Sequence, residues 1–203
     1  MTLVAWLAGC ATGRTVIDLP KPPETTASVT NGPAIRIRSV SDDRVFEDAP
    51  KQADIPSLGE PASTATAAVR AHAVARKRNG YGLAQGDVIL SERADLRDVV
   101  RSSVATALRQ AGYRLDDHDP SVLDVDVHVR QFWLWLQPGA MVGVIRSRIV
   151  TEISIQGGSA VTVSSETSQP GQIFSEAAWT NAVQVALEAY RKQAAIDLRV
   201  VAR

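Results

Sequence analysis

The sequence predicts an α+β fold, a two-layer sandwich of a mainly antiparallel sheet with two long helices packed on one face. Two apolar stripes at helical spacing predict the helices. One comprises Leu96, Val99, Val100, Val104, Ala107, Leu108 and Ala111; the other comprises Trp179, Ala182, Val183, Ala186, Leu187, Tyr190, Ala194 and Leu198. Strict alternation predicts the sheet, as in Leu123, Val125, Val127 and Val129 between Asp124, Asp126, His128 and Arg130. Both helices carry one apolar stripe and the strands carry one polar face, so the layers bury one side each.

The elements follow in order. Ala34 to Val40 alternates as a half-buried strand, and Ser41-Asp42-Asp43-Arg44 breaks it. Pro50, Pro56, Gly59 and Pro61 mark 47–66 as loop, within a long loop or insertion at about 47–86. Ala67 to Lys77 reads as a short helix, Asn79-Gly80-Tyr81-Gly82 as a turn and Asp87 to Leu90 as a strand. The first long helix takes Ser91 as its N-cap, Glu92 in its first turn and Gly112 as its left-handed C-cap. Phe132 to Leu136 continues the 123–129 strand, and Gln137-Pro138-Gly139 turns the chain. Ile145, Ile149, Ile153 and Ile155 mark the inner face of a return strand, with Arg146, Arg148 and Glu152 outward. Gly157-Gly158 is a hairpin signal before Val161 and Val163, and the last helix begins near Ser175. Residues 34–203 thus form a single domain.

The 22 Lys and Arg balance the 22 Asp and Glu, which argues against a nucleic-acid binder. No apolar run reaches the roughly 18 residues that span a bilayer. The single cysteine, Cys10, has no partner for an internal disulfide. It ends the apolar stretch Leu3-Val4-Ala5-Trp6-Leu7-Ala8-Gly9-Cys10, and Leu7-Ala8-Gly9-Cys10 resembles the bacterial lipobox. The resemblance implies diacylation of Cys10 and cleavage before it. Each buried CH₂ adds about 0.8 kcal/mol, so two or three acyl chains hold a protein on a membrane. Residues 1–9 carry no Lys or Arg, as a truncated signal segment would, which predicts a start codon upstream. Residues 10–33 read as the acylated cysteine and a Pro-rich tether, with Pro20, Pro22, Pro23 and Pro33 among polar residues. Ala11 in place of the Asp that retains enteric-type lipoproteins in the inner membrane points to the outer membrane, facing the periplasm.

The layout resembles the YajG-like group of outer-membrane lipoproteins. The resemblance rests on the lipobox and tether, on Val40-Ser41-Asp42-Asp43-Arg44, on Leu96-Arg97, on the helix end Leu108-Arg109-Gln110-Ala111-Gly112-Tyr113, and on the strand Leu123-Asp124-Val125-Asp126-Val127. It covers nearly the whole chain through short motifs, and the stretch between Glu47 and Asp87 is longer than that pattern. It implies a location and a fold rather than an activity.

No catalytic constellation stands out. His72, His118 and His128 lack metal-ligand spacing, Ser102-Ser103 and Ser164-Ser165 lack a nucleophile-elbow context, and Asp116-Asp117-His118-Asp119 lacks the calcium-loop pattern. No cofactor or metal is expected. Two contact sites are. Arg76, Lys77 and Arg78 precede a turn and suit an anion such as a lipid head group or a glycan phosphate. Trp133 and Trp135 share the parity of Leu123 to Val129, which puts Phe132, Leu134 and Leu136 on the opposite face as a partner-binding apolar patch, unless a bulge or a covering loop buries both faces. These features favour a membrane-anchored, non-enzymatic module that binds an envelope protein or polymer. The alternatives are an accessory subunit of an envelope assembly or export machine, and a glycan-acting enzyme using Asp124 and Asp126, which sit roughly 6.6–7 Å apart at two-residue spacing.

Overall fold

The computed structural model describes residues 13–20, 32–79, 81–93, 95–119, 122–139 and 142–201. Cys10, the signal segment and most of the Pro-rich stretch lie outside the described residues. Eight strands form one sheet, and the α+β class is as the sequence predicts. β6 (Leu123–Gln137) is its spine. One edge of β6 pairs antiparallel with β7 (Gly143–Ile155), which pairs antiparallel with β8 (Val161–Gly171). The other edge of β6 is shared. Its first half takes β2 (Ala34–Asp42) in parallel, and its second half takes β3 (Ala73–Arg78) in parallel. β3 continues antiparallel to β4 (Ala84–Leu90), β4 pairs in parallel with β1 (Thr15–Ile17), and β2 pairs with the short β5 (Arg114–Leu115). The two longest ladders, β6 with β7 and β7 with β8, are antiparallel.

α2 (Leu96–Ala111) and α3 (Glu176–Val201) pack on each other and on one sheet face. Between them and the sheet lies the main core, which includes Ile35, Val104, Leu108, Val127, Ile149, Ile153, Trp179 and Tyr190. Tyr190 and Thr151 share a buried hydrogen bond of 2.7 Å, which satisfies the polar atoms of both. α2 begins later than expected. Asp95, not Ser91, is its N-cap, in a reciprocal capping box with Asp98. Ser91 instead ends β4, where its N–H bonds Ile17 O. Gly112 closes the helix in the left-handed conformation, as predicted.

Three other expectations are corrected. Residues 15–17 belong to the sheet rather than to a tether, because Ile17 has a fully buried side chain and a ladder on β4. Residues 67–77 are not one helix. α1 (Ala67–His72) stops after about two turns, and the chain passes directly into β3. Much of the expected 47–86 loop is therefore ordered structure, holding α1, β3 and the start of β4.

Candidate functional site

The aromatic segment of β6 does not form an exposed patch. Phe132, Trp133 and Leu134 have no exposed surface, and Trp135 and Leu136 are half-buried. Two causes combine. A β-bulge lies between Val129 and Gln131, so Arg130 is an extra residue opposite Thr151 and Val150. The bulge reverses parity. Phe132 and Leu134 continue the helix-side core of Val125, Val127 and Val129, while Trp133 and Trp135 turn to the other face. A cover meets them there. Trp133 packs with Leu58, Ala65 and Ala73, has the Phe46 ring edge-on at 6.0 Å, and donates Nε1–H to Ala53 O at 3.2 Å. The Arg148 guanidinium lies 5.8 Å from the centre of the Trp135 ring. The contact role assigned to Phe132, Trp133, Leu134, Trp135 and Leu136 is thus replaced by a core role.

Arg44 occupies the gap where β2 ends and β3 begins along β6. Its side chain is fully buried. Its guanidinium donates to Ala73 O at 2.6 Å, Phe132 O at 3.1 Å, Arg70 O at 2.6 Å and both oxygens of Asp42 at 2.7 Å. One planar fork thereby satisfies the Ala73 and Phe132 carbonyls at the interrupted ladder and adds a second donor to Arg70 O, which already accepts from Ala73 N–H. Val40-Ser41-Asp42-Asp43-Arg44 is a structural joint, which sequence alone showed only as a strand break.

Arg76, Lys77 and Arg78 lie on β3, and protein atoms already engage them. Arg76 donates to Leu58 O and faces Asp87 at 3.9 Å. Lys77 donates to Thr15 Oγ1 at 2.9 Å, and desolvation pushes its ammonium pKa down. Arg78 reaches Ser57 Oγ and Gly82 O, each at 3.3 Å. The trio is not a free basic cluster. Arg76 works inside the fold, and Arg78 alone borders the turn.

Ser41, His128 and Asp43 come together without making a catalytic relay. Ser41 Oγ at 2.9 Å and Asp43 Oδ2 at 2.8 Å both approach the same ring atom, His128 Nδ1. A relay needs the nucleophile and the carboxylate on opposite nitrogens. The His128 contact lowers the Asp43 pKa, with smaller help from Ser41 and Arg130. Asp124 binds Arg36 at 2.7 Å. Asp126 is paired with Arg38 and Ser39, and those hydrogen bonds hold its carboxyl below the usual range. Asp126 is therefore not set up as a protonated acid. Asp116 caps the N–H groups of His118 and Asp119, as a surface turn does. Among the described residues no group of His, Cys, Asp and Glu has metal-binding geometry.

Two surfaces remain. A groove of about 990 Å³ runs between the end of β1, α2 and α3, with Leu19, Val99, Val185 and Leu187 on its walls and Arg93, Asp98, Glu188 and Arg191 around it. The other is the outer edge of β8. Among the described residues β8 pairs only with β7, leaving an 11-residue edge; on the opposite side β1 covers β4 from Val88 to Leu90 and β5 covers β2 only at Ala34 and Ile35. Pro170 fits this, since proline in a ladder is confined to edge strands.

The start of the described chain is tied to the β3–β4 hairpin. Gly13 N–H donates to Gln85 O at 2.7 Å. Gly86 permits the approach, because a Cβ there would meet Gly13 O at 2.0 Å. No helix among the described residues is long and apolar enough to cross a membrane.

No family model matches the chain, and neither does any curated protein. Solved structures do resemble it. A Xanthomonas campestris protein, XCC0632 of family DUF330, has a TM-score of 0.46 at 9% identity, over 93% of this chain and 94% of that one. A minor lipoprotein from Acinetobacter baumannii has a TM-score of 0.38 at 14% identity, over 52% of this chain and 84% of that one. An uncharacterized protein has a TM-score of 0.38 at 11% identity, over 84% and 99%. At these values the likeness is one of chain outline, and no family membership follows from it.

Proposed function

We propose that the chain is a bacterial lipoprotein, anchored by acylated Cys10 to the outer membrane and facing the periplasm, which acts as a non-enzymatic binding module. Leu7-Ala8-Gly9-Cys10 carries the anchoring half of the proposal. The thiol is the group that is acylated, and the small residues before it fit a peptidase. The edge of β8 carries the binding half. A long edge pairs readily with another strand, and natural sheets ordinarily shorten, charge or cover such edges; in β8 Pro170 interrupts only the last residues, and Val161 to Gln169 is free of proline. Among the described strands β8 leaves the longest unpaired side, 11 residues, against the stretch Arg36 to Asp42 that β5 leaves open on β2. Its partner is an extended segment of an envelope protein, held by main-chain hydrogen bonds in strand addition.

The test has two readouts on the full chain expressed in a Gram-negative host. Mass spectrometry of the membrane-extracted protein is expected to show two or three acyl chains on an N-terminal Cys10. Cys10→Ser should release the chain from membranes, and an unacylated wild-type cysteine refutes anchoring. A photoreactive residue at Thr162 should crosslink a discrete envelope protein. Ser164→Lys with Ser168→Lys, which places cations on the edge, should reduce that crosslink about tenfold with the fold intact. An undiminished crosslink refutes the edge as the binding surface.

A further inference from the structure

The anchoring reading assumed a long tether, and the structure removes it. Gly13 is already hydrogen-bonded to β4, so only Ala11 and Thr12 separate Cys10 from the folded sheet. Three residue steps span at most about 11 Å. β1 runs parallel to β4, and β4 starts from the 79–83 loop. The chain therefore enters the sheet at the end where that loop lies. A lipid on Cys10 would bring this end of the domain, and no other, to the bilayer surface.

The loop has the chemistry of an interfacial contact. Tyr81 is 93% exposed and Leu83 is 64% exposed. Asn79 holds the backbone on which they sit. Asn79 Oδ1 accepts from the N–H groups of Tyr81 and Leu83 at 3.0 and 2.9 Å, and Asn79 N–H donates to Leu83 O at 2.9 Å. Backbone held in this way at Tyr81 and Leu83 presents the two side chains to solvent at little further entropic cost on docking. Basic groups flank it. Arg14 is exposed beside Gly13 and Arg78 borders the loop, and no Asp or Glu occurs from Ala73 to Gly86 or from Gly13 to Ile17. An aromatic and an aliphatic tip with a cationic border is the combination that seats at a headgroup boundary.

We infer that the 79–83 loop, with Arg14 and Arg78, is a second membrane contact. It docks on anionic phospholipid and fixes the orientation of the domain beside its acyl anchor. The inference rests on anchoring through Cys10 for its geometry, yet the surface is testable without the anchor. The acyl anchor and this second contact together hold the domain in one pose, where acyl chains alone would let it swing. In that pose the β8 edge lies across the sheet from β1, on the far side from the lipid-bound strand.

The experiment separates the two readings. Full chain carrying Cys10→Ser is titrated with phosphatidylglycerol–phosphatidylethanolamine vesicles and with phosphatidylcholine vesicles. Binding to the anionic vesicles is expected, weakened about tenfold or more by Tyr81→Ser with Leu83→Ser. Arg14→Gln with Arg78→Gln should abolish the preference for anionic lipid. In a second preparation the acylated chain carries Leu83→Cys, labelled with an environment-sensitive dye, in the same vesicles. Its emission should shift to the blue, whereas a dye at Glu166→Cys should not shift. Absence of vesicle binding, or a water-exposed dye at 83 in a chain of confirmed acylated mass, overturns the contact. An unacylated mass refutes anchoring alone, and the vesicle titration then decides the surface by itself.

Discussion

The two halves of β6 are built from one continuous strand and obey different rules. From Leu123 to Val129 one face is core and the other is laced by charge: Asp124 with Arg36, Asp126 with Arg38, and His128 with Asp43. From Phe132 to Leu134 both faces are buried, by α2 and α3 on one side and by the segment around Phe46, Leu58 and Ala65 on the other. The difference shows how a sheet changes its partners mid-strand. The parallel neighbour changes from β2 to β3, the bulge at Arg130 changes the parity, and Arg44 closes the seam.

Deleting Arg130 should break the comparison outright. Without the extra residue the alternation of the first half would run on, and Trp133 would be driven toward the helices while Phe132 and Leu134 faced the cover. A one-residue slip moves every following side chain to the wrong face. The expected outcome is no cooperative thermal transition and no dispersed NMR spectrum. A folded deletion variant with native Trp fluorescence would mean that the parity switch is not what separates the halves.

Arg44→Met tests the seam and should cost less. The substitution keeps apolar bulk but removes the guanidinium from the carbonyls of Ala73 and Phe132 and from Asp42, which keeps only the backbone N–H of residue 44 as donor in this joint. Removing one partner from a buried, hydrogen-bonded charge typically costs about 3–5 kcal/mol. Urea denaturation measures it. A loss below about 1 kcal/mol would mean that the gap closes without the guanidinium.

The same contrast explains which parts of the molecule were legible in the sequence. The half of β6 with one wet face announces itself, because water on one side forces a period of two. The dry half does not, since Phe132-Trp133-Leu134-Trp135-Leu136 is apolar at every position and the bulge has no glycine to mark it. β1 was hidden because Thr15-Val16-Ile17 is too short to show a period and stands in Pro-rich surroundings. β3 was hidden because Ala73-Val74-Ala75-Arg76-Lys77 suits a helix by composition, and its pairing with Leu134 and Trp135 lies some 60 residues away. For the candidate sites, residue type was legible and engagement was not. Arg76 reads as a surface cation until Leu58 O and Asp87 are brought beside it. In the sequence the exposed Tyr81 reads only as part of a turn and Leu83 only as part of the 47–86 loop, because nothing there places Gly13 against Gln85.

Acid should act on the wet half, and the effect is the smallest of the three. The Asp126 pKa is lowered from 3.8, first by its hydrogen bond from Arg38, then by that from Ser39, against a small desolvation cost. A carboxyl lowered in the folded state binds protons more weakly there than in the unfolded chain. Its contribution to stability is therefore complete above about pH 4 and is lost as pH falls through the folded-state value. Asp126→Asn removes the titration. The variant should unfold slightly more easily than the parent at pH 7, and the gap should narrow as pH falls below about 4. Thermal unfolding at a series of pH values checks it. A gap that holds constant down to the acid transition would mean that the Arg38–Asp126 pair contributes nothing to the wet half, leaving its alternation and the core beneath it as the whole of its stability.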